Sequence, residues 1–69
     1  MGAVFMVLLA CASKCEHEVI AGPMPPQICI SLSQPMAARW AGDHPNHRIK
    51  EIICVDHKQL ESLLEWNKA

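Results

Sequence analysis

Met1-Gly-Ala-Val-Phe-Met-Val-Leu-Leu-Ala-Cys11 is the stretch on which the organisation of this 69-residue chain depends. The run carries no charge, and every residue in it is apolar or small. Ten apolar residues are too few to cross the hydrocarbon core of a bilayer as a helix. The run therefore predicts either an N-terminal leader or a strand or helix that is buried in the fold.

The end of this run favours the leader. Leu8-Leu9-Ala10-Cys11 resembles the cleavage box of bacterial lipoproteins, which implies removal of residues 1–10 and attachment of lipid to Cys11. The protein would then be lipid-anchored in the bacterial cell envelope and would face the periplasm. An ordinary leader begins with a positively charged segment, whereas the first positive residue here is Lys14, so the buried element remains the alternative.

The bulk composition limits the classes of function. A chain this short forms one small domain whose hydrophobic core is marginal without additional stabilisation. Four cysteines in such a chain favour disulfide bonds and an oxidising compartment. The formal net charge is −1 with both signs interspersed, so no basic stripe is available to follow a phosphate backbone, and we expect no nucleic-acid partner.

The segment 11–27 has the composition of a tether. Pro23, Pro25 and Pro26 fall within four positions, where they fix φ and remove backbone donors. This favours an extended backbone and excludes the interior of a helix. We therefore expect a Pro-rich spacer between the anchor and a folded module at residues 28–69.

The module is predicted to be mainly α, with two to three helices. Residues 27–33 alternate apolar and polar side chains and allow one short strand. Ser33 can then cap a helix over residues 34–41, with Gly42 at the position that commonly follows a helix. A last helix begins after Asp56, where Gln59 completes a capping box, and carries the apolar stripe Leu60, Leu63 and Leu64.

The segment between these helices has two interpretations. Asp43 followed by Pro45 predicts the start of a helix, in which Ile49, Ile52 and Ile53 would form one buried face. The competing interpretation is a strand over residues 50–55, because Ile-Ile-Cys-Val is apolar and rich in β-branched residues. Since periodicity cannot separate the two in so short a run, the Asp-x-Pro start favours the helix.

Lipidation of Cys11 would leave three cysteines for other uses. A disulfide between Cys29 and Cys54 would join the predicted strand to the second helix and stabilise the fold by about 3 to 4 kcal/mol. Cys15 would then be available for a bridge to a second copy of the chain, or for pairing with Cys54 instead. The remaining alternative is that all the thiols are reduced.

Several other side chains are candidates for binding. Trp40 and Trp66, together with the Ile49, Ile52 and Ile53 face, are predicted contacts with a protein partner, because exposed tryptophans are frequent interface anchors. Zinc is an alternative use of Cys15-x-His17, His44-x-x-His47 and Cys54-x-x-His57. The chain offers no nucleophile with an orienting base and no glycine-rich loop, so we expect neither an enzyme nor a bound cofactor.

The chain resembles the small entry-exclusion lipoproteins of conjugative plasmids, the TrbK and EexN type. The resemblance rests on the lipobox, the overall size, and the stretch Arg39-Trp-Ala-Gly-Asp-His-Pro-Asn-His-Arg-Ile-Lys-Glu-Ile-Ile-Cys54. It implies a protein of the cell envelope that blocks a second transfer of a related plasmid by contacting the incoming transfer apparatus.

A second resemblance is to secreted chemokine-like ligands. Cys11-Ala-Ser-Lys-Cys15 is similar to a CX3C pair, and Ile52-Ile-Cys-Val-Asp56 followed by a helix is similar to the end of that fold. This resemblance implies two disulfides, Cys11 to Cys29 and Cys15 to Cys54. The spacing of the cysteines along this chain runs in the reverse order to the chemokine pattern.

Overall fold

A computed structural model describes residues 2–67, which form three strands and two helices. In chain order these are β1 Val4–Cys11, β2 Cys15–Met24, α1 Pro26–Asp43, β3 Arg48–Val55 and α2 His57–Asn67. The strands make one antiparallel sheet in the order β2-β1-β3. The fold is therefore α+β, and the prediction of a mainly α module is wrong.

The apolar N-terminal run forms the central strand of this sheet. Met6, Val7 and Leu8 are 0% exposed, because β1 is paired on both edges and covered on both faces. Val7 packs with Val55 and Leu60 on the face that α2 covers. The opposite face lies under α1. A strand buried on both faces needs apolar residues at consecutive positions, and this explains the uninterrupted run.

The predicted Pro-rich tether is instead an edge strand followed directly by a helix. β2 pairs with β1 along its whole length, with Cys15 opposite Cys11 at one end and Met24 opposite Val4 at the other. Pro23 is tolerated because β2 is an edge strand. Pro26 is the first residue of α1, a position where the missing N–H costs nothing. The prolines therefore end one element and begin the next instead of keeping the segment free of structure.

Gly22 has a conformation that favours glycine in this strand. Its φ is 127°, and a Cβ at this position would lie 2.9 Å from the Cα of Phe5. The irregular register between β1 and β2 falls in the same region. Gly22 thereby allows β2 to approach the central strand closely where regular pairing is interrupted.

The first helix is much longer than predicted and replaces the expected short strand at residues 27–33. α1 runs through 18 residues and contains Pro35. Its inner stripe follows helical spacing and consists of Cys29, Ser33, Met36, Ala37 and Trp40. The alternating pattern was misleading because Ile28, Ile30 and Leu32 are not buried: they are 45%, 67% and 42% exposed, with Ile30 on the other side of α1 from Ile28 and Leu32.

The segment predicted as a second helix is strand β3. Ile49 and Ile52 lie opposite Ala10 and Leu8, whereas Ile53 lies opposite Val7. The three isoleucines therefore do not form one face, and Ile53 packs against the cluster under α2. The β-branched run therefore forms a strand because it pairs with β1. This is the interpretation that the sequence had left as the alternative.

The last helix agrees with the prediction in its start and its stripe. The Gln59 N–H donates to Asp56 Oδ1 at 2.8 Å, and the Asp56 N–H donates to Gln59 Oε1 at 3.3 Å, which is the predicted capping box. Leu60 is buried, and Leu63 packs against the core, while Leu64 stays exposed. Neither α1 nor α2 has the length and apolar character to cross a membrane.

Candidate functional site

Disulfide bonds are present, as the four cysteines predicted. Cys29 on α1 is bonded to Cys54 on β3, the pair that the sequence favoured, and Cys29 is fully buried. Cys11 is bonded to Cys15 across the turn between β1 and β2. All four cysteines lie within the described residues and none is free, so this structure does not support a bridge to a second chain through Cys15. The pairing implied by the chemokine resemblance is not formed.

The Cys11–Cys15 bond lies at the end of the sheet, beside an open cavity of about 610 Å³. The cavity is formed by the β1–β2 turn, the loop after α1 and the first residues of β3. Its lining residues are Cys11, Ala12, Ser13, Cys15, Pro45, Asn46, His47, Arg48 and Lys50. Because Arg48 lies directly opposite Cys11 in the β1–β3 register, the fold places a permanent positive charge beside the disulfide.

The charges around this cavity are mostly positive. Arg48 and Lys50 line it and are exposed, and no described residue in the lining is acidic. Lys14 lies in the same turn, where its Nζ is 3.8 Å from a carboxylate oxygen of exposed Glu16. The sequence showed no basic stripe because these cations come from separate segments, and only strand pairing brings them together.

Trp40 stacks on a histidine next to the cavity. The Trp40 and His44 rings are 3.9 Å apart and nearly parallel, and the His47 ring meets Trp40 edge-on at 5.5 Å. A hydrogen bond of 2.9 Å also joins His44 Nδ1 and the Trp40 carbonyl oxygen. Trp40 is half-buried and fixes the end of α1 to the cavity loop. The i, i+4 spacing of Trp40 and His44 is the sequence signal that could have indicated this contact, which was not predicted.

Trp66 is the second tryptophan that was predicted to contact a protein partner, and it is 51% exposed. Its ring meets His17 edge-on at 4.8 Å. The neighbouring Asn67 side chain accepts from the His17 N–H and donates to the His17 carbonyl oxygen, each at 2.8 Å. These contacts tie the end of α2 to the outer edge of β2 and bury His17 Nδ1, which has no hydrogen-bond partner among the described residues.

The apolar surface available to a partner differs from the predicted one. Trp40 and Trp66 lie near the C-terminal ends of two different helices, and the three isoleucines of β3 are divided between the two faces of the sheet. The exposed apolar side chains of α1 are instead Ile28, Ile30 and Leu32. The sequence did not indicate this surface, because the alternation of these residues is typical of a half-buried strand.

The zinc alternative loses its thiolate ligands in this structure. Cys15 and Cys54 are both in disulfides, so the Cys-x-His and Cys-x-x-His pairs retain only their histidines. Within residues 2–67, no three His, Cys, Asp or Glu side chains are grouped so that they could hold a metal ion.

No protein-family model matches the chain, and no curated protein or solved structure matches it either. The resemblances to entry-exclusion lipoproteins and to chemokines therefore rest on short motifs alone.

Proposed function

We propose that this chain is a small extracytoplasmic protein, held together by two disulfides, that acts by binding another protein. The observation that carries the proposal is on α1, where two large apolar side chains one helical turn apart are exposed on the same side of the helix. We call Ile28 and Leu32 the α1 apolar patch.

The disulfides support an oxidising location. Small domains with thin cores use disulfides where the compartment keeps thiols oxidised, whereas reducing compartments oppose them. Here the bond between Cys29 and Cys54 holds α1 to the sheet, and Cys29 is the one fully buried residue of that helix among those described. The stability of the fold would therefore depend on the compartment, and we assign the protein to the secreted or envelope side of a membrane.

The α1 apolar patch supports binding to a protein. Ile28 and Leu32 are one helical turn apart and are 45% and 42% exposed, whereas Ile30 is two residues from each and lies on the other side of the helix. Apolar residues at such spacing suit a hydrophobic groove that accepts one side of a helix. Clustered exposed apolar residues commonly mark binding surfaces. Gln27 and Ser31 lie beside them and would face the polar rim of such a groove.

A photo-crosslinking amino acid at Leu32 tests this surface in the cells that make the protein. We expect irradiation to give one discrete higher-mass adduct, because the side chain would lie in the partner's groove. The Ile28→Lys substitution should reduce the adduct at least about tenfold, since a buried lysine would lose its hydration. The matched control carries the crosslinker at Glu65, which is exposed on α2. Equal adducts from both positions, or none from Leu32, would contradict the proposal.

A lipid anchor at Cys11 is the second candidate, and it is the form in which an entry-exclusion function would be exerted. A cysteine whose sulfur carries a lipid thioether cannot also form a disulfide, so the lipidated protein and the fold with a Cys11–Cys15 bond are different chemical species. Cleavage before Cys11 would also remove most of β1, the central strand.

Mass spectrometry of the protein isolated from its native membrane and medium fractions separates these forms. We expect non-reducing digestion to yield a peptide with Cys11 and Cys15 joined, and residues 4–10 to be present. Lipid on Cys11, together with a chain that begins at this residue, would instead establish the anchored form. Labelling with palmitate that is lost in Cys11→Ser would support that same result.

A further inference from the structure

We propose that the Cys11–Cys15 disulfide exchanges with anionic thiols, which the adjacent cationic cavity binds and orients. The substrate class is a small or peptidic thiol that carries carboxylates. This activity is separate from partner binding by the α1 apolar patch, which lies on another part of the molecule.

Access distinguishes this disulfide from the other. Cys15 is exposed and Cys11 is half-buried at the sheet end, where both line the open cavity. Cys29, by contrast, is 0% exposed between α1 and the sheet, and its partner Cys54 is half-buried in β3, so neither is exposed as Cys15 is. Because exchange requires a thiolate to reach one of the two sulfurs, we expect the Cys11–Cys15 bond to react while the Cys29–Cys54 bond stays intact.

The charges provide the second element of the site. Arg48 lies opposite Cys11 in the sheet, and Lys50 lines the same cavity. Positive charges beside a cysteine favour its thiolate, which is the leaving group when the disulfide is attacked. The same charges attract the carboxylates of an incoming anionic thiol. A neutral cavity would give access without this selectivity.

The reaction balances as two thiol–disulfide exchanges. A substrate thiolate attacks Cys15 Sγ, forms a mixed disulfide, and breaks the Cys11–Cys15 bond, whose electron pair leaves on Cys11 Sγ. A second substrate thiolate attacks the substrate sulfur of the mixed disulfide and releases Cys15 as a thiolate. The two thiolates take up the two protons that the substrate thiols lost to water. Two substrate thiols become one disulfide, and the protein gains two electrons as a Cys11/Cys15 dithiol.

Rates of reduction by glutathione, which is anionic, and by cysteamine, which is cationic, test the proposal on the purified full chain. Each reaction is monitored by alkylation and mass spectrometry of both cysteine pairs. Each rate is then divided by the concentration of thiolate. At low salt we expect glutathione to reduce Cys11–Cys15 about tenfold faster than cysteamine, and this preference should largely disappear in high salt. Cys29–Cys54 should remain oxidised throughout.

The variant R48E/K50E should reverse the preference in favour of cysteamine. The control Lys58→Glu makes the same kind of charge change on α2, beyond the opposite end of β3, and should leave the ratio unchanged. Should R48E/K50E fold poorly by circular dichroism, Ser13→Asp adds a negative charge to the turn that lines the cavity and should slow glutathione about threefold or more. Equal ratios in wild type, the cavity variant and the control, or reduction of Cys29–Cys54 first, would overturn the proposal. The crosslinking result at Leu32 does not depend on either outcome.

Discussion

Replacing Val7 with aspartate is expected to unfold the protein. Val7 is 0% exposed in the centre of the sheet and packs between Val55 and Leu60. A carboxylate there has no described polar partner and replaces apolar contacts, which costs about 4 kcal/mol or more. Since a domain of this size has little stability to lose, cooperative unfolding in urea should no longer be observed for Val7→Asp.

Val19 provides the matched control, because it lies directly opposite Val7 in the β1–β2 register but is 43% exposed on an edge strand. Val19→Asp should destabilise by about 1 kcal/mol or less, since the carboxylate stays hydrated. The pair also tests the role of the N-terminal run. If residues 1–10 were a leader removed before folding, Val7→Asp would leave the stability of the isolated protein unchanged.

Removing the Cys29–Cys54 disulfide is expected to have the second large effect. The bond closes a loop with a sequence separation of 25, which corresponds to about 3.5 kcal/mol of chain entropy in the unfolded state. Alanine at both positions avoids a buried hydroxyl group. We expect C29A/C54A to lower Tm by roughly 15 to 25 °C, measured by circular dichroism at 222 nm.

The helical signal of C29A/C54A should also decrease before the sheet unfolds. The inner stripe of α1 is half-buried apart from Cys29, and the helix contains Pro35. Most helical stability in proteins comes from tertiary packing, so α1 depends on its attachment to β3. The control C11A/C15A opens a much shorter loop, with a separation of 4, and should cost about 2 kcal/mol or less while leaving the helical signal intact. A larger loss in the control than in C29A/C54A would contradict this account.

The expected results for C29A/C54A and C11A/C15A correspond to different roles for the two disulfides. The bond between Cys29 and Cys54 is structural, because it is shielded by α1 and joins distant segments. The bond between Cys11 and Cys15 joins residues that the β1–β2 turn already holds close together. Its proposed role is therefore chemical, and its loss should affect exchange with glutathione much more than stability.

The elements that sequence analysis predicted well are those that depend on local interactions. The start of α2 follows from Asp56 and Gln59, whose side chains bond each other's backbone within one helical turn. Leu60 and Leu63 then repeat at helical spacing on the packed side. The presence of disulfides likewise follows from four cysteines in a short chain with few aromatic residues.

The elements that it predicted wrongly are those for which two local patterns competed. Ile28, Ile30 and Leu32 alternate as in a half-buried strand, yet they are exposed residues of a helix. Residues 48–55 could form a helix with one apolar face or a strand, and pairing with β1 selected the strand. In neither case does the sequence of the segment determine its secondary structure, because the outcome depends on which neighbour the segment packs against.

The candidate site was predicted only in its components. Cys11, Cys15 and the tryptophans were recognised as notable residues, but the cavity was not, because Ser13 and Arg48 are far apart in the sequence and meet only through the sheet. The α1 apolar patch was missed for a different reason. A pattern of apolar residues reports hydrophobicity, whereas burial or exposure depends on the rest of the fold.

The sequence by itself determined that this is a small, disulfide-bonded domain whose apolar N-terminal run needs a nonaqueous environment and whose last helix begins after Asp56. Only the tertiary structure placed this run in the centre of a sheet. The physical reason is that an uncharged run such as Val4–Cys11 is equally suited to lipid and to a protein core, and pairing with β2 and β3 supplies its hydrogen bonds and contacts in this fold.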